Sequence, residues 1–151
     1  MATGTRTGRW VGRAATIAAL AGVSLAATAT AAQAADEWYE VAGKAGTCRI
    51  AQSSIPGAFG QAEICWSGTQ VWVYGYIEDT AVKYRAVLQI RYKVDGDAAW
   101  HYRNYLSDTN SADEGTPASS WSKARYPTTN LTARACTYSG STQIACDGTW
   151  R

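Results

Sequence analysis

Tyr84-Arg85-Ala86-Val87-Leu88-Gln89-Ile90-Arg91-Tyr92-Lys93-Val94 is the stretch that decides the fold. Its even positions are Tyr84, Ala86, Leu88, Ile90, Tyr92 and Val94, and its odd positions are Arg85, Val87, Gln89, Arg91 and Lys93. Successive side chains of a strand point to opposite faces, so this alternation predicts a strand with one buried and one wetted face. Asp95-Gly96 follows at once. That pair tolerates the positive φ of a tight hairpin and predicts a returning strand over residues 98–106.

Outward from this strand the same signals recur. Ser67-Gly68 separates strands expected at 62–66 and 71–78, and further strands are expected at 37–41, 47–51, 120–126, 131–138 and 142–150. No apolar pattern at helical spacing intervenes. About eight short strands, with turn signals roughly every eight to twelve residues, predict an all-β antiparallel β-sandwich, with a small β-barrel as the alternative. Residues 53–60 and 107–119 fit no strand, and the second stretch, polar and acidic, reads as either a mobile surface loop or a functional one.

The chain begins differently. A basic start with Arg6, Arg9 and Arg13 precedes an uncharged Ala-rich run, and Ala32-Gln33-Ala34 supplies the small residues of a signal-peptidase site. Residues 1–34 are therefore expected to be a cleaved secretory signal peptide, and 35–151 a single domain. Without those three arginines, eleven cations stand against twelve anions, so the precursor's net charge of +2 becomes −1. Bulk composition then gives no argument for nucleic acid or an anionic membrane as partner.

Four cysteines, Cys48, Cys65, Cys136 and Cys146, all fall in the domain, and an even number in a small exported chain predicts two disulfides. A hairpin register centred on Ser141 sets Cys136 opposite Cys146, which leaves Cys48 to pair with Cys65. With no Cys-x-x-Cys and a single histidine, no zinc site is expected, nor any cofactor.

Catalytic chemistry is sparse. His101 is the only histidine and the only ordinary general base near neutral pH. On the 98–106 strand it shares a face with Arg103 and Tyr105, opposite Trp100, Tyr102 and Leu106, and its face is expected to be solvated. A nuclease or hydrolase would need a carboxylate such as Glu78 beside His101, with Arg103 or Arg85 on an oxyanion. No motif places them so, and no Gly-x-Ser-x-Gly elbow is present. Glu78 and Asp79 are adjacent in a strand, point to opposite faces and form no glycosidase pair. Asp95 and Asp97 around Gly96 read as turn residues rather than calcium ligands, and Asn130-Leu131-Thr132 matches the glycosylation acceptor pattern.

Aromatic residues are the more informative feature. Over residues 71–78 one face is Val71, Val73, Gly75 and Ile77, and the other is Trp72, Tyr74, Tyr76 and Glu78. The second face is expected to be a buried aromatic layer; an exposed row of Trp72, Tyr74 and Tyr76 would instead stack on a glycan. The strand expected at 142–150 carries Ile144, is guarded only by Asp147 and Gly148, and ends in Trp150, so it is expected to be an open edge that accepts a strand from another protein.

The run Val73-Tyr74-Gly75-Tyr76-Ile77-Glu78-Asp79-Thr80, the alternating strand after it, and Cys136-Thr137-Tyr138-Ser139-Gly140-Ser141 closing on Cys146 resemble small secreted actinobacterial proteins. The resemblance covers roughly residues 64–150 and implies a disulfide-stapled β-sandwich with no reaction. Tendamistat-like amylase inhibitors share the general plan but present a Trp-Arg-Tyr tip, a tripeptide absent here. The expectation is a secreted, extracellular, non-catalytic protein-binding module, either an adaptor subunit or an inhibitor. A carbohydrate-binding module using the aromatic face is the alternative, and a small nuclease or hydrolase using His101 is the second alternative. The expected partner is another extracellular protein or a glycan, with no nucleic acid and no membrane.

Overall fold

The computed structural model describes residues 37–109 and 115–151. Ten strands form in them: β1 Trp38–Val41, β2 Thr47–Ile55, β3 Ala58–Ser67, β4 Gln70–Asp79, β5 Arg85–Val94, β6 His101–Asp108, β7 Thr116–Pro117, β8 Trp121–Ala124, β9 Thr128–Ser139 and β10 Thr142–Cys146. All the pairings are antiparallel. The larger sheet runs β1-β8-β4-β3-β2, with β7 beside one end of β4, and the smaller runs β10-β9-β5-β6. The two sheets pack face to face as a sandwich.

The deciding strand behaves as its alternation requires. Ala86, Leu88, Ile90 and Tyr92 of β5 are buried against Ala62 and Ile64 of β3 and Val73 and Ile77 of β4, each large aliphatic stabilising the fold by roughly 2 kcal/mol. A Cβ on Gly75 would lie 2.7 Å from Leu88, 2.8 Å from Tyr105 and 2.9 Å from Leu106. Gly75 therefore marks a close approach of the two sheets and not a bulge. Trp38 meets Tyr92 edge to face at 5.2 Å and closes one end of the core.

Several boundaries differ from the sequence reading, each for a local reason. Residues 53–60 are not a loop: β2 and β3 form one hairpin through Pro56-Gly57. Proline pre-sets the first corner of such a turn, and Gly57 takes the second at φ 92°. Strand β6 starts at His101 rather than residue 98 and carries a bulge opposite Leu88 and Gln89. The bulge shifts the phase, so Tyr105 and Leu106 both pack on the core. His101 and Arg103 also lie on this inward side, which corrects the expectation of a solvated face. Within 107–119, β6 extends to Asp108 and Thr116–Pro117 pairs with β4; residues 110–114 lie outside the described residues.

Both disulfides join opposed residues. Cys48–Cys65 ties β2 to β3, and Cys136–Cys146 ties β9 to β10, each with Cα atoms 4.0 Å apart. The last hairpin turns at Gly140-Ser141, with Gly140 at φ 58°, and not on Ser141 alone. A bulge at Ile144 then shifts the register by one and brings Cys146 opposite Cys136. Two disulfides fit an oxidising, extracellular location. The expected signal peptide, residues 1–34, lies outside the described residues. No helix among the described residues is long and apolar enough to cross a membrane.

Candidate binding face

The odd positions of β5 define the outer face of the small sheet. Register sets Arg85 beside Tyr138, Val87 beside Cys136, Gln89 beside Arg134 and Arg91 beside Thr132 of β9. On the other flank Asn104 and Tyr102 of β6 stand opposite Gln89 and Arg91. At one end Val87, Cys136 and Tyr138 form a small apolar cluster with Cys146 packed on it.

Gln89 is the hub next to that cluster. Its amide nitrogen donates to Tyr138 Oη (2.7 Å) and Asn104 Oδ1 (2.9 Å). Its carbonyl oxygen accepts both Nε (3.1 Å) and Nη2 (3.0 Å) of Arg134. This fork holds the Arg134 guanidinium 4.2 Å from the centre of the Trp150 ring. Arg91, bonded through Nε to Thr132 Oγ1 (3.2 Å), lies 4.6 Å from Trp150 and 4.4 Å from Trp100. Lys93 follows over Trp100 at 5.2 Å, and Tyr102, 53% exposed, leans on Trp150 at 5.9 Å.

The result is a ladder in the order Lys93, Trp100, Arg91, Trp150, Arg134. Each cation–ring contact contributes about 0.5–1 kcal/mol at an exposed site. None of Arg85, Arg91, Lys93 and Arg134 forms an ion pair with a carboxylate among the described residues. Partial burial holds the Arg134 guanidinium below its ordinary pKa, a desolvation cost that an anion brought to the ladder would offset.

Trp150 reaches this face because the last residues run on along β9 beyond β10. Strand β10 has only five residues, with a bulge, and beyond it the backbone follows β9 through Asp147 N to Ala135 O (3.0 Å) and a reciprocal pair between Ala133 and Arg151 (2.9 and 3.0 Å). Ser53 of β2 seals the junction, accepting from Ala135 N–H (2.8 Å) and donating to Asp147 Oδ2 (2.9 Å). Trp150 thus lies over Arg134 and Arg91, while Ile144 projects from the bulge of β10, 49% exposed. A short, bulged strand is a protected edge.

Trp72, Tyr74 and Tyr76 lie elsewhere, in one row on the outer face of the large sheet. Trp72 is buried, 8% exposed, under Lys123 at 5.0 Å, while Tyr74 and Tyr76 are half-buried. Tyr74 tilts against Trp121 at 5.4 Å, and Tyr76 meets Phe59 at 6.3 Å. The row is thus neither a covered second layer nor a fully open platform. Cys48, Cys65 and Glu63 stand together on this face, but both sulfurs are in a disulfide and offer no thiolate, and Glu63 pairs with Lys44.

His101 is not brought to Glu78. Its Nδ1 faces Glu37 Oε1 and its Nε2 faces Asp97 Oδ2, both at 3.0 Å, and its ring stacks on Tyr92 at 5.5 Å. Glu78 sits on the far outer face, bonded to the Tyr76 hydroxyl. A carboxylate thus stands against each ring nitrogen of His101, so neither nitrogen faces open space where a substrate would sit. Asp97 also caps Ala99 N–H (2.8 Å), so its two oxygens serve the β5–β6 turn. Asn130 adopts φ 55° at the β9 irregularity, a conformation asparagine tolerates.

The sequence reading leaves Arg91 and Lys93 on the wetted face of their strand, sets Trp100 opposite the expected solvated face of the next, and does not single out Arg134. The available signal was sign: three odd positions of β5 are cations and none is an acid. Comparison with known proteins returned no matching family model, no matching curated protein and no matching solved structure.

Proposed function

We propose that the protein is a secreted, non-catalytic binding module that docks an acidic surface of another extracellular protein onto the outer face of its small sheet. The observation that carries this reading is the ladder of Lys93, Arg91 and Arg134 interleaved with Trp100 and Trp150, in which no cation forms an ion pair among the described residues. Tryptophan and arginine are the residues most enriched at interface hot spots. The engagement of both His101 nitrogens speaks against the hydrolase alternative. Docking across this face replaces strand addition at β10, whose bulge and short length oppose it.

A glycan reading retains one specific support, the half-buried row of Tyr74, Tyr76, Phe59 and Trp121 on the opposite face. Immobilised poly-glutamate and a neutral polysaccharide separate the two readings. Under the proposal the protein binds poly-glutamate, binding weakens as salt is raised, and Arg91→Gln with Arg134→Gln lowers affinity by about tenfold or more. Binding only to the polysaccharide, with loss in Tyr74→Ala, would transfer the function to the other face.

A further inference from the structure

At the β1–β8 side of the sandwich the two sheets part around a cavity of about 100 Å³, lined by Glu40, Arg103, Tyr105, Ser119, Ser120 and Ser122 among others. Its walls follow from register. Glu40 of β1 stands opposite Ser122 of β8 on the inward side of the large sheet, and Arg103 and Tyr105 face them from β6. Tyr105 is fixed there, its hydroxyl donating to the Val73 carbonyl (3.1 Å) and meeting the Ser122 hydroxyl at 3.2 Å.

The charged groups are arranged unusually. Arg103 Nη1 is buried with no hydrogen-bond partner, and Glu40, at the exposed mouth, forms no ion pair with it or with any other described residue. No water-sized molecule reaches Nη1 itself, but Arg103 lines the cavity without a carboxylate partner among the described residues, so the cavity presents one unpaired cation and one unpaired anion. Three serine hydroxyls line the same space, and each can donate as well as accept. That space holds several waters or one small molecule.

From this juxtaposition we propose that the cavity binds a small zwitterion, an α-amino acid with a short side chain, through its carboxylate on Arg103 and the serine hydroxyls and its ammonium toward Glu40. A simple anion suits Arg103 and is repelled by Glu40, and a simple cation does the reverse. The site is separate from the cationic ladder, which lies on the outer side of the small sheet, so either assignment can fail without the other.

Titration of the purified protein with glycine and L-alanine, followed by amide and side-chain NMR shifts, tests the site. Saturable shifts at residues 118–122 and at Tyr105 are expected. Glu40→Gln and Arg103→Gln should each weaken binding by at least about tenfold, the size expected for loss of a charged hydrogen bond. Acetate and methylammonium alone should bind more weakly than glycine. Glu40 lies at the exposed mouth, so Glu40→Gln keeps the test decisive even if Arg103→Gln disturbs the fold. No saturable shift with either amino acid, affinity unchanged in Glu40→Gln, or acetate binding as tightly as glycine would each overturn the proposal.

Discussion

The two outer faces of the sandwich are built from the same kinds of residue and differ in how their charges are answered. Outward on the large sheet Lys44 pairs with Glu63 and lies over Trp121, and Lys123 and Glu78 share that face, while Arg49, Glu40 and Asp79 belong to the inner side. Outward on the small sheet Arg85, Arg91, Lys93 and Arg134 meet no acid from the same strands, since Asp108 is buried on the inner side, where Arg103 also lies. A near-neutral domain thus holds a cationic outer face on one sheet and a face of mixed sign on the other. Net charge averages this away, because the sign of a face depends on which strands pair and not on how many charges the chain holds.

The largest effect that would sharpen this comparison comes from the disulfides. Replacing either pair by alanine should cost about 3 kcal/mol by loop-closure entropy, measured as the fall in urea stability. The two variants should part in function. Loss of Cys136–Cys146 frees the hairpin beneath the ladder and weakens poly-glutamate binding, whereas loss of Cys48–Cys65 leaves binding intact. Equal binding loss in both would erase the distinction between the faces.

Next come the tryptophans. Trp150→Ala removes a ring flanked by Arg91 and Arg134 and touched by Tyr102, and should destabilise by about 2 kcal/mol. Trp121→Ala removes a ring with one cation and one aromatic neighbour, and should cost about 1 kcal/mol. Thermal or urea unfolding of both decides the order.

A smaller effect is a dependence on pH. Backbone donation from Thr149 N–H, then the Ser53 hydroxyl and Arg151, holds Asp147 below the ordinary carboxylate value of 3.8. A depressed folded pKa stabilises the protein above that value and loses its contribution as pH falls through the lower, folded one. Wild type should therefore exceed Asp147→Asn in stability at pH 7, with the gap closing below about pH 4. A gap that persisted at pH 2 would remove Asp147 from the seal at the chain end. The smallest effect is expected for Lys44→Gln, an exposed pairing worth less than about 1 kcal/mol, with poly-glutamate affinity unchanged.

Local signals in the sequence predicted most of the sandwich. The alternation over residues 84–94, the Asp95-Gly96 turn and the cysteine pairing needed only neighbours in the chain or one hairpin register. Pro56-Gly57 was an equally local turn signal, masked because Ser53 and Ser54 lowered the apparent strand character of β2. The bulge in β6 was not legible, since the extra residue shows only against its partner strand, and it moved Tyr105 and Leu106 onto the core together. The ladder was hidden for a stronger reason. Arg91, Trp100, Arg134 and Trp150 come from separate parts of the chain and meet only once β6, β5 and β9 are in register and the last residues lie along β9.

The central claim is that an acidic partner docks on the small-sheet face, and NMR mapping with poly-glutamate tests it most directly. The account predicts salt-sensitive shifts at the Trp100 and Trp150 indoles and at Arg91 and Arg134, with the Trp72 and Trp121 indoles unmoved. Shifts confined to Trp72, Tyr74, Tyr76 and Trp121, or shifts at the ladder that survive Arg91→Gln with Arg134→Gln, would contradict it.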